Sequence, residues 1–164
     1  MADSAAPSSS TPSFSKPLQL PVSEETLAQV NTHLRTLSPS EILQWSIEHL
    51  PNLYQTTAFG LTGLAGLDML SKLTSNPPPL IFVDTLYHFK ETLQLVEEVE
   101  RKYGKKVIVY KPEDCETTED FEKKHGQKLW ERDEESYDYH VKVIYAYVPV
   151  PFRIPILTII LSIR

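Results

Sequence analysis

The run Leu80-Ile-Phe-Val83, closed by Asp84, constrains this chain more than any other feature. Uninterrupted apolar residues leave no polar face for water, so the run reads as a strand buried on both faces of a parallel sheet. Before it, Leu53 to Phe59 carries Thr56 and Thr57 as a short strand and leads into Gly60-Leu-Thr-Gly63. Leu64, Leu67, Leu70 and Leu73 then recur at helical spacing, and Pro77-Pro78-Pro79 breaks that helix. After Asp84 the pattern predicts a helix from about Lys90 to Tyr103, a third strand at Val107-Ile-Val-Tyr110, and a further helix opened by Thr117 with Asp120 three positions on. The order β-α-β-α-β-α predicts an α/β fold with parallel strands, right-handed crossovers and helices on the sheet faces. Sheets of this kind hold ligands at the C-terminal ends of their strands.

A helical preface precedes the sheet. Ser23 is a good N-cap, followed by Glu24 and Glu25 and by Leu27, Val30, Leu34 and Leu37 on one face. Pro39 and Ser40 open a second helix, Glu41 to Leu50, with Ile42, Trp45 and Ile47 partly inward. Residues 1–21 hold four of the thirteen prolines among many serines, and read as a flexible tail, with no basic stretch and apolar core to make a secretory signal.

Length and charge narrow the function classes. At 164 residues one core is expected, here assigned to 22–143. A net charge of -6 disfavours coating a polynucleotide or an anionic membrane, both of which call for a basic surface. The lone cysteine, Cys115, leaves no partner for an intramolecular disulfide and no multi-cysteine metal site. His33, His49, His125 and His140 show no metal-ligand spacing. A reducing, cytoplasmic setting fits.

Glu113 to Asp138 carries eleven carboxylates against four Lys or Arg, and reads as a solvated acidic face anchored by Leu129-Trp130. The segment 144–164 is rich in Ile, Tyr and Pro. Arg153 divides Val143 to Ile163 into two uncharged runs of ten, too short for a span that needs roughly 20 apolar residues.

Two segments carry the chemistry. Thr56, Thr57, Phe59, Gly60, Leu61, Thr62 and Gly63 stand where a strand hands over to a helix, where N–H groups and hydroxyls can gather around an anion. A plain tight turn fits the same residues, since the loop has neither the lysine of a Walker A loop nor the spaced glycines of a dinucleotide fingerprint. Asp84-Thr-Leu-Tyr-His-Phe89 lies at the ligand edge of the next strand. Alternatively Asp84 or Thr85 caps the following helix, and His88 either meets a ligand phosphate or packs beside Phe89.

Gln55-Thr-Thr-Ala-Phe-Gly-Leu-Thr-Gly63 resembles the modified pyrophosphate loop of phosphoadenylyl-sulfate (PAPS) reductases, and Phe82-Val-Asp-Thr-Leu-Tyr-His-Phe89 resembles their second ligand-side loop. Tyr110-Lys-Pro-Glu-Asp-Cys-Glu116 and Leu129-Trp-Glu-Arg-Asp-Glu-Glu-Ser-Tyr-Asp-Tyr139 are similar to the fungal branch. The resemblance runs from Ser23 to Val143. It implies the adenine-nucleotide alpha-hydrolase-like (pyrophosphate-loop) fold, here its first part, and reduction of PAPS to sulfite and adenosine 3',5'-bisphosphate in sulfate assimilation. It further implies no bound cofactor, thioredoxin as electron donor, and a possible homodimer. In the family a cysteine in a Glu-Cys-Gly-(Ile/Leu)-His motif attacks the sulfuryl sulfur, becomes S-sulfocysteine, and yields sulfite to thioredoxin.

By the same resemblance Thr56, Thr57, Phe59, Gly60 and Leu61 surround the nucleotide and its phosphosulfate, and Asp84 and Thr85 face the same cleft. Lys142 opens what resembles the family's Lys-Val-Glu-Pro segment, but Ile144-Tyr145 follows Val143. Residues 144–164 are therefore expected to lie outside the family fold, as translated intron or frameshifted sequence would. The chain also ends ahead of the arginine-rich segment and the catalytic cysteine motif. Cys115 lacks that motif's Gly and His and sits between Asp114 and Glu116, which raise a thiol pKa, so no catalytic residue is assigned. Two other classes remain: a noncatalytic nucleotide-binding or regulatory protein, and an ATP-pyrophosphate-loop enzyme, whose usual Ser-Gly-Gly-x-Asp-Ser loop is not matched here.

Overall fold

The computed structural model describes residues 14, 16–19 and 21–143, with the side chains of 142 and 143 excepted. The chain divides into two compact units, Met1–Pro51 and Asn52–Arg164.

In the first unit, α1 (Glu24–Leu34) is capped by Ser23, whose hydroxyl accepts from Thr26 N at 3.2 Å. The second helix, α2 (Pro39–His49), begins two residues before the expected Glu41 because Ser38 and Glu41 form a reciprocal capping box with Pro39 in the first turn. Leu18, Val30 and Trp45 make its core, joined by Phe14, Leu34, Leu37 and Leu50. Most of the flexible tail expected over 1–21 lies outside the described residues, but at Phe14 and Leu18 the chain packs on this core. Leu18 is buried and donates its N–H to His49 O at 2.7 Å, and the Phe14 ring stands edge-on to Trp45. Burying an apolar side chain such as Leu18 contributes about 1.5–3 kcal/mol.

The second unit is built on β1 (Gln55–Thr56), β2 (Leu80–Val83) and β3 (Val107–Tyr110), all parallel in the order β1-β2-β3. Thr56 is level with Ile81 and Ile108, and Val83 with Tyr110. The connecting helices are α3 (Leu61–Leu73) and α4 (Lys90–Tyr103). Leu80 and Phe82 share one face of β2 and are buried with Phe59, Leu67, Val99 and Val107, with Leu64, Leu95 and Val96 packed against them. Both helices therefore cover one face. The other face of β2, Ile81 and Val83, is half-buried, so the expected burial on both faces holds for one only. A parallel sheet needs helices on both sides, and among the described residues α3 and α4 pack on the Phe82 side. Gly104, in the left-handed conformation at φ 64°, ends α4 by donating to Glu100 O at 2.9 Å.

The acidic segment departs from a simple solvated face. Most of its carboxylates are exposed, yet it folds into α5 (Thr118–His125), α6 (Leu129–Arg132) and α7 (Glu134–Asp138), followed by a π-helical turn, Tyr139–Val143. Cys115, Phe121, Leu129 and Val141 form a second core, with Leu86, Tyr87 and Tyr137 against it. Leu129 anchors as expected. Trp130 remains 38% exposed, its ring edge-on to Tyr87 at 4.6 Å. Residues 144–164 lie outside the described residues, as do most of 1–21. Among the described residues no helix is long and apolar enough to cross a membrane.

Candidate functional site

The C-terminal ends of β1 and β2 bring the two expected segments side by side. The strand ladder continues one step past β1, where Thr57 N donates to Ile81 O at 3.1 Å. There the Thr57 hydroxyl accepts from Phe59 N at 2.9 Å, a side-chain turn that ends the strand earlier than the expected Phe59. Phe59 adopts φ 60°, a left-handed conformation that costs a non-glycine residue about 1–2 kcal/mol. Its ring offsets that cost by burying itself 5.2 Å from Phe82.

Gly60 follows as the N-cap of α3 and provides no side-chain cap. The N–H groups of the first helical turn thus lack the hydroxyl or carboxylate that usually occupies them. A Cβ on Gly60 would meet nothing within 4 Å, and Leu61 is 89% exposed, so the mouth of the helix is open. Behind it the turn is locked. A Cβ on Gly63 would collide with Thr57 Oγ1 and stand 3.2 Å from Thr57 Cβ, so only glycine admits this approach. Gln55 Nε2 donates to Gly63 O at 3.1 Å, while its Oε1 is buried without a partner. An open, positively polarised helix end on a rigid base can receive an anion without reorganising.

At the end of β2, Asp84 is buried; its N–H donates to Tyr110 O at 2.7 Å, and its carboxylate accepts from Leu86 N at 2.9 Å. The carboxylate shapes its own loop, with Leu86 at φ 68°. Neither Asp84 nor Thr85 caps α4, whose N-cap is Phe89 with no side-chain bond. His88 packs: its ring lies 4.9 Å from Phe82, and Nε2–H donates to Val83 O at 3.1 Å. Phe89, the packing neighbour in one of the two readings of His88, is 81% exposed.

The remaining candidates sit apart. Cys115 follows β3, is 2% exposed, and its Sγ–H donates to Glu113 O at 3.3 Å. Burial is the main cause that pushes its thiol pKa up; Asp120 and Asp114 add to it and Lys124 opposes it. Lys142 has its backbone in the π-helical turn. Gln55 was missed as a support, though a glutamine on the strand before a glycine turn is its signal. Also unanticipated is the contact of His125 with His140, whose ring centroids are 4.0 Å apart. Among the described residues no group of three or more His, Cys, Asp or Glu could hold a metal ion.

A parallel sheet with an uncapped glycine turn and a buried aspartate at its ligand edge makes this an α/β domain, and its likeness to a solved structure gives the adenine-nucleotide alpha-hydrolase-like type. The phosphoadenosine phosphosulfate reductase domain family matches residues 52–147, more than half of the chain, and the chain belongs to that family. The Emericella nidulans phosphoadenosine phosphosulfate reductase is 53% identical over 118 residues, covering 70% of this chain and 39% of the relative. The Saccharomyces cerevisiae protein of the same name is 50% identical over 129 residues, covering 74% and 49%. The Bacillus subtilis adenosine 5'-phosphosulfate reductase 1 is 34% identical over 105 residues, covering 63% and 44%. A crystal structure of PAPS reductase from Candida auris in complex with phosphate superposes with TM-score 0.70 at 50% identity, over 76% of this chain and 61% of that one. The chain thus spans less than half the length of these curated relatives.

Proposed function

We propose that this chain carries the nucleotide-binding part of a thioredoxin-dependent PAPS reductase of sulfate assimilation, working in the cytoplasm. The observation that carries this is the uncapped N-terminus of α3, held open by the Gly63–Thr57 contact. In this reading the backbone of Gly60 and Leu61 faces the phosphosulfate, and Thr56 and Thr57 lie at its flank with Phe59 as the buried pin. Asp84 and Thr85, one strand away, face the ribose and base. The relatives with the higher identities are named PAPS reductases, and one was crystallised with phosphate, which supports an anionic adenine nucleotide as ligand. Lys142, thioredoxin docking and self-association belong to the same proposal.

These 164 residues bind the nucleotide without turning it over. Attack on the sulfuryl sulfur needs an accessible thiolate, whereas Cys115 is a buried thiol engaged with Glu113 O. The test combines calorimetric titration of the purified chain with PAPS and a sulfite assay with thioredoxin and a reducing system. Binding without sulfite above background, unchanged in Cys115→Ser, is expected. Absence of PAPS binding refutes the nucleotide site, and sulfite release that Cys115→Ser abolishes refutes the bystander role of Cys115.

A further inference from the structure

The second core holds the loop Asp84 to Phe89 from behind. Thr118 Oγ1, at the start of α5, donates to Leu86 O at 2.8 Å. The Tyr87 ring stands edge-on to Trp130 at 4.6 Å, to Phe121 at 6.1 Å and to Tyr137 at 6.2 Å. Leu86 lies in the left-handed region at φ 68°, which a bulky side chain disfavours. Such a conformation persists only while its surroundings enforce it, so the shape of this loop depends on the contacts behind it.

A histidine pair closes that core. His125, in the last turn of α5, and His140, in the π-helical turn, have ring centroids 4.0 Å apart, and His125 also meets the fully buried Phe121 at 4.8 Å. Val141, next to His140, is fully buried in the same core. Parting the two rings therefore pulls on Val141 and, through Phe121, on Tyr87.

The surroundings of the pair suit a neutral imidazole. Lys124 precedes His125 on α5, and from α6 the Arg132 guanidinium donates to His125 O at 3.4 Å. The helix α7 brings Tyr137 against Phe121 and ends at Asp138, two residues before His140, while Tyr139 stands edge-on to His140 at 5.4 Å. Burial is the main cause that holds the His125 pKa below its ordinary 6.5, and His140 and Lys124 add to it. The folded chain thus binds this proton less tightly than the opened one. The resulting stabilisation is complete above the ordinary histidine value and is lost as pH falls from there through the folded value.

We infer that the His125–His140 contact is a pH-sensitive latch on the ligand-side loop. Neutral, it holds α5 and the π-helical turn together behind Leu86 and Tyr87; protonated, it parts, frees the loop and weakens nucleotide binding. The last step rests on the nucleotide site proposed above. The test is hydrogen–deuterium exchange of the full chain at pH 7.5 and 6.0, both above its isoelectric point near 5.4, with rates corrected for their intrinsic pH dependence. One histidine released to its ordinary pKa favours the opened form by up to about fourfold at pH 6.0. Peptides covering 84–89 and 118–143 should lose protection by that factor, while Leu80–Val83 keeps its own. His125→Phe retains a ring against Phe121 but cannot titrate, and it and His140→Phe should show no such loss. Far-UV circular dichroism at pH 7.5 verifies the fold of each variant. In calorimetric titration with PAPS, the wild-type affinity should fall between the two pH values by about fourfold more than that of either variant, a comparison that cancels titration of the nucleotide itself. Equal wild-type protection at both pH values, a loss that persists in both variants, a loss confined to 118–143, or an equal loss at Leu80–Val83 overturns the latch. Equal falls in PAPS affinity across wild type and variants overturn its bearing on the nucleotide. Absence of PAPS binding at pH 7.5 overturns the nucleotide site, and the exchange result then judges the latch by itself.

Discussion

Gly63→Ala is the substitution in which the structure and the local sequence preference disagree in sign. By helix propensity alone, alanine within α3 should stabilise by about 1 kcal/mol. In the folded chain the new Cβ collides with Thr57 Oγ1 and stands 3.2 Å from Thr57 Cβ. Overpacking of this kind costs about 1–3 kcal/mol. Rotating Thr57 away also forfeits its 2.9 Å bond to Phe59 N, a further loss of about 1 kcal/mol. The expected net result is destabilisation by about 1–3 kcal/mol, read as a lower urea midpoint at unchanged slope. Thr57→Ala provides the control because it removes the atom struck. In the double variant the two losses should fall short of additivity by about 1–2 kcal/mol, the coupling expected of residues in contact. Equal or greater stability of Gly63→Ala, or additive losses in the double variant, would refute the locked turn.

Asp84→Ala leaves Leu86 N without its acceptor, and should cost about 1–3 kcal/mol, whereas Asp84→Asn retains a side-chain carbonyl and should lose less in a thermal melt; equal losses would remove the role given to this carboxylate. The raised Cys115 pKa implies that the folded state holds its proton more tightly than the unfolded chain. That contribution is complete below the ordinary thiol pKa and is lost as pH rises through the folded value. At pH 8 iodoacetamide should label Cys115 far more slowly in the native chain than in urea, and equal rates would contradict its burial. Finally, β1 pairs with β2 alone among the described residues, and Ile108 and Val109 on β3 are 38% and 44% exposed. Open edges of this kind associate, so sedimentation should show concentration-dependent oligomers, against which a strictly monomeric, cooperatively unfolding chain would count.

Local rules determined the elements. The Lys90 to Tyr103 helix and the Val107–Tyr110 strand fall at their expected boundaries, because amphipathic spacing and a left-handed glycine act over a few residues. The glycine turn and Asp84 were legible for the same reason: strand ends of a parallel sheet are where polar residues interrupt apolar runs. What the sequence alone left open depended on residues far apart in the chain. Whether Asp84 capped a helix or shaped its own loop was decided by backbone geometry at Leu86, and whether His88 packed was decided by Phe82 beside it. Phe14 and Leu18 look like tail residues until Trp45 and His49 are brought against them. The acidic segment hides a second core because Phe121, Leu129 and Val141 are separated by charged residues, most of them exposed once helices form. His125 and His140, fifteen positions apart in the sequence, meet only through that packing. Periodicity records which side of an element avoids water, but which partner it meets is settled when the chain closes on itself, since burial depends on the sum of contacts from every element.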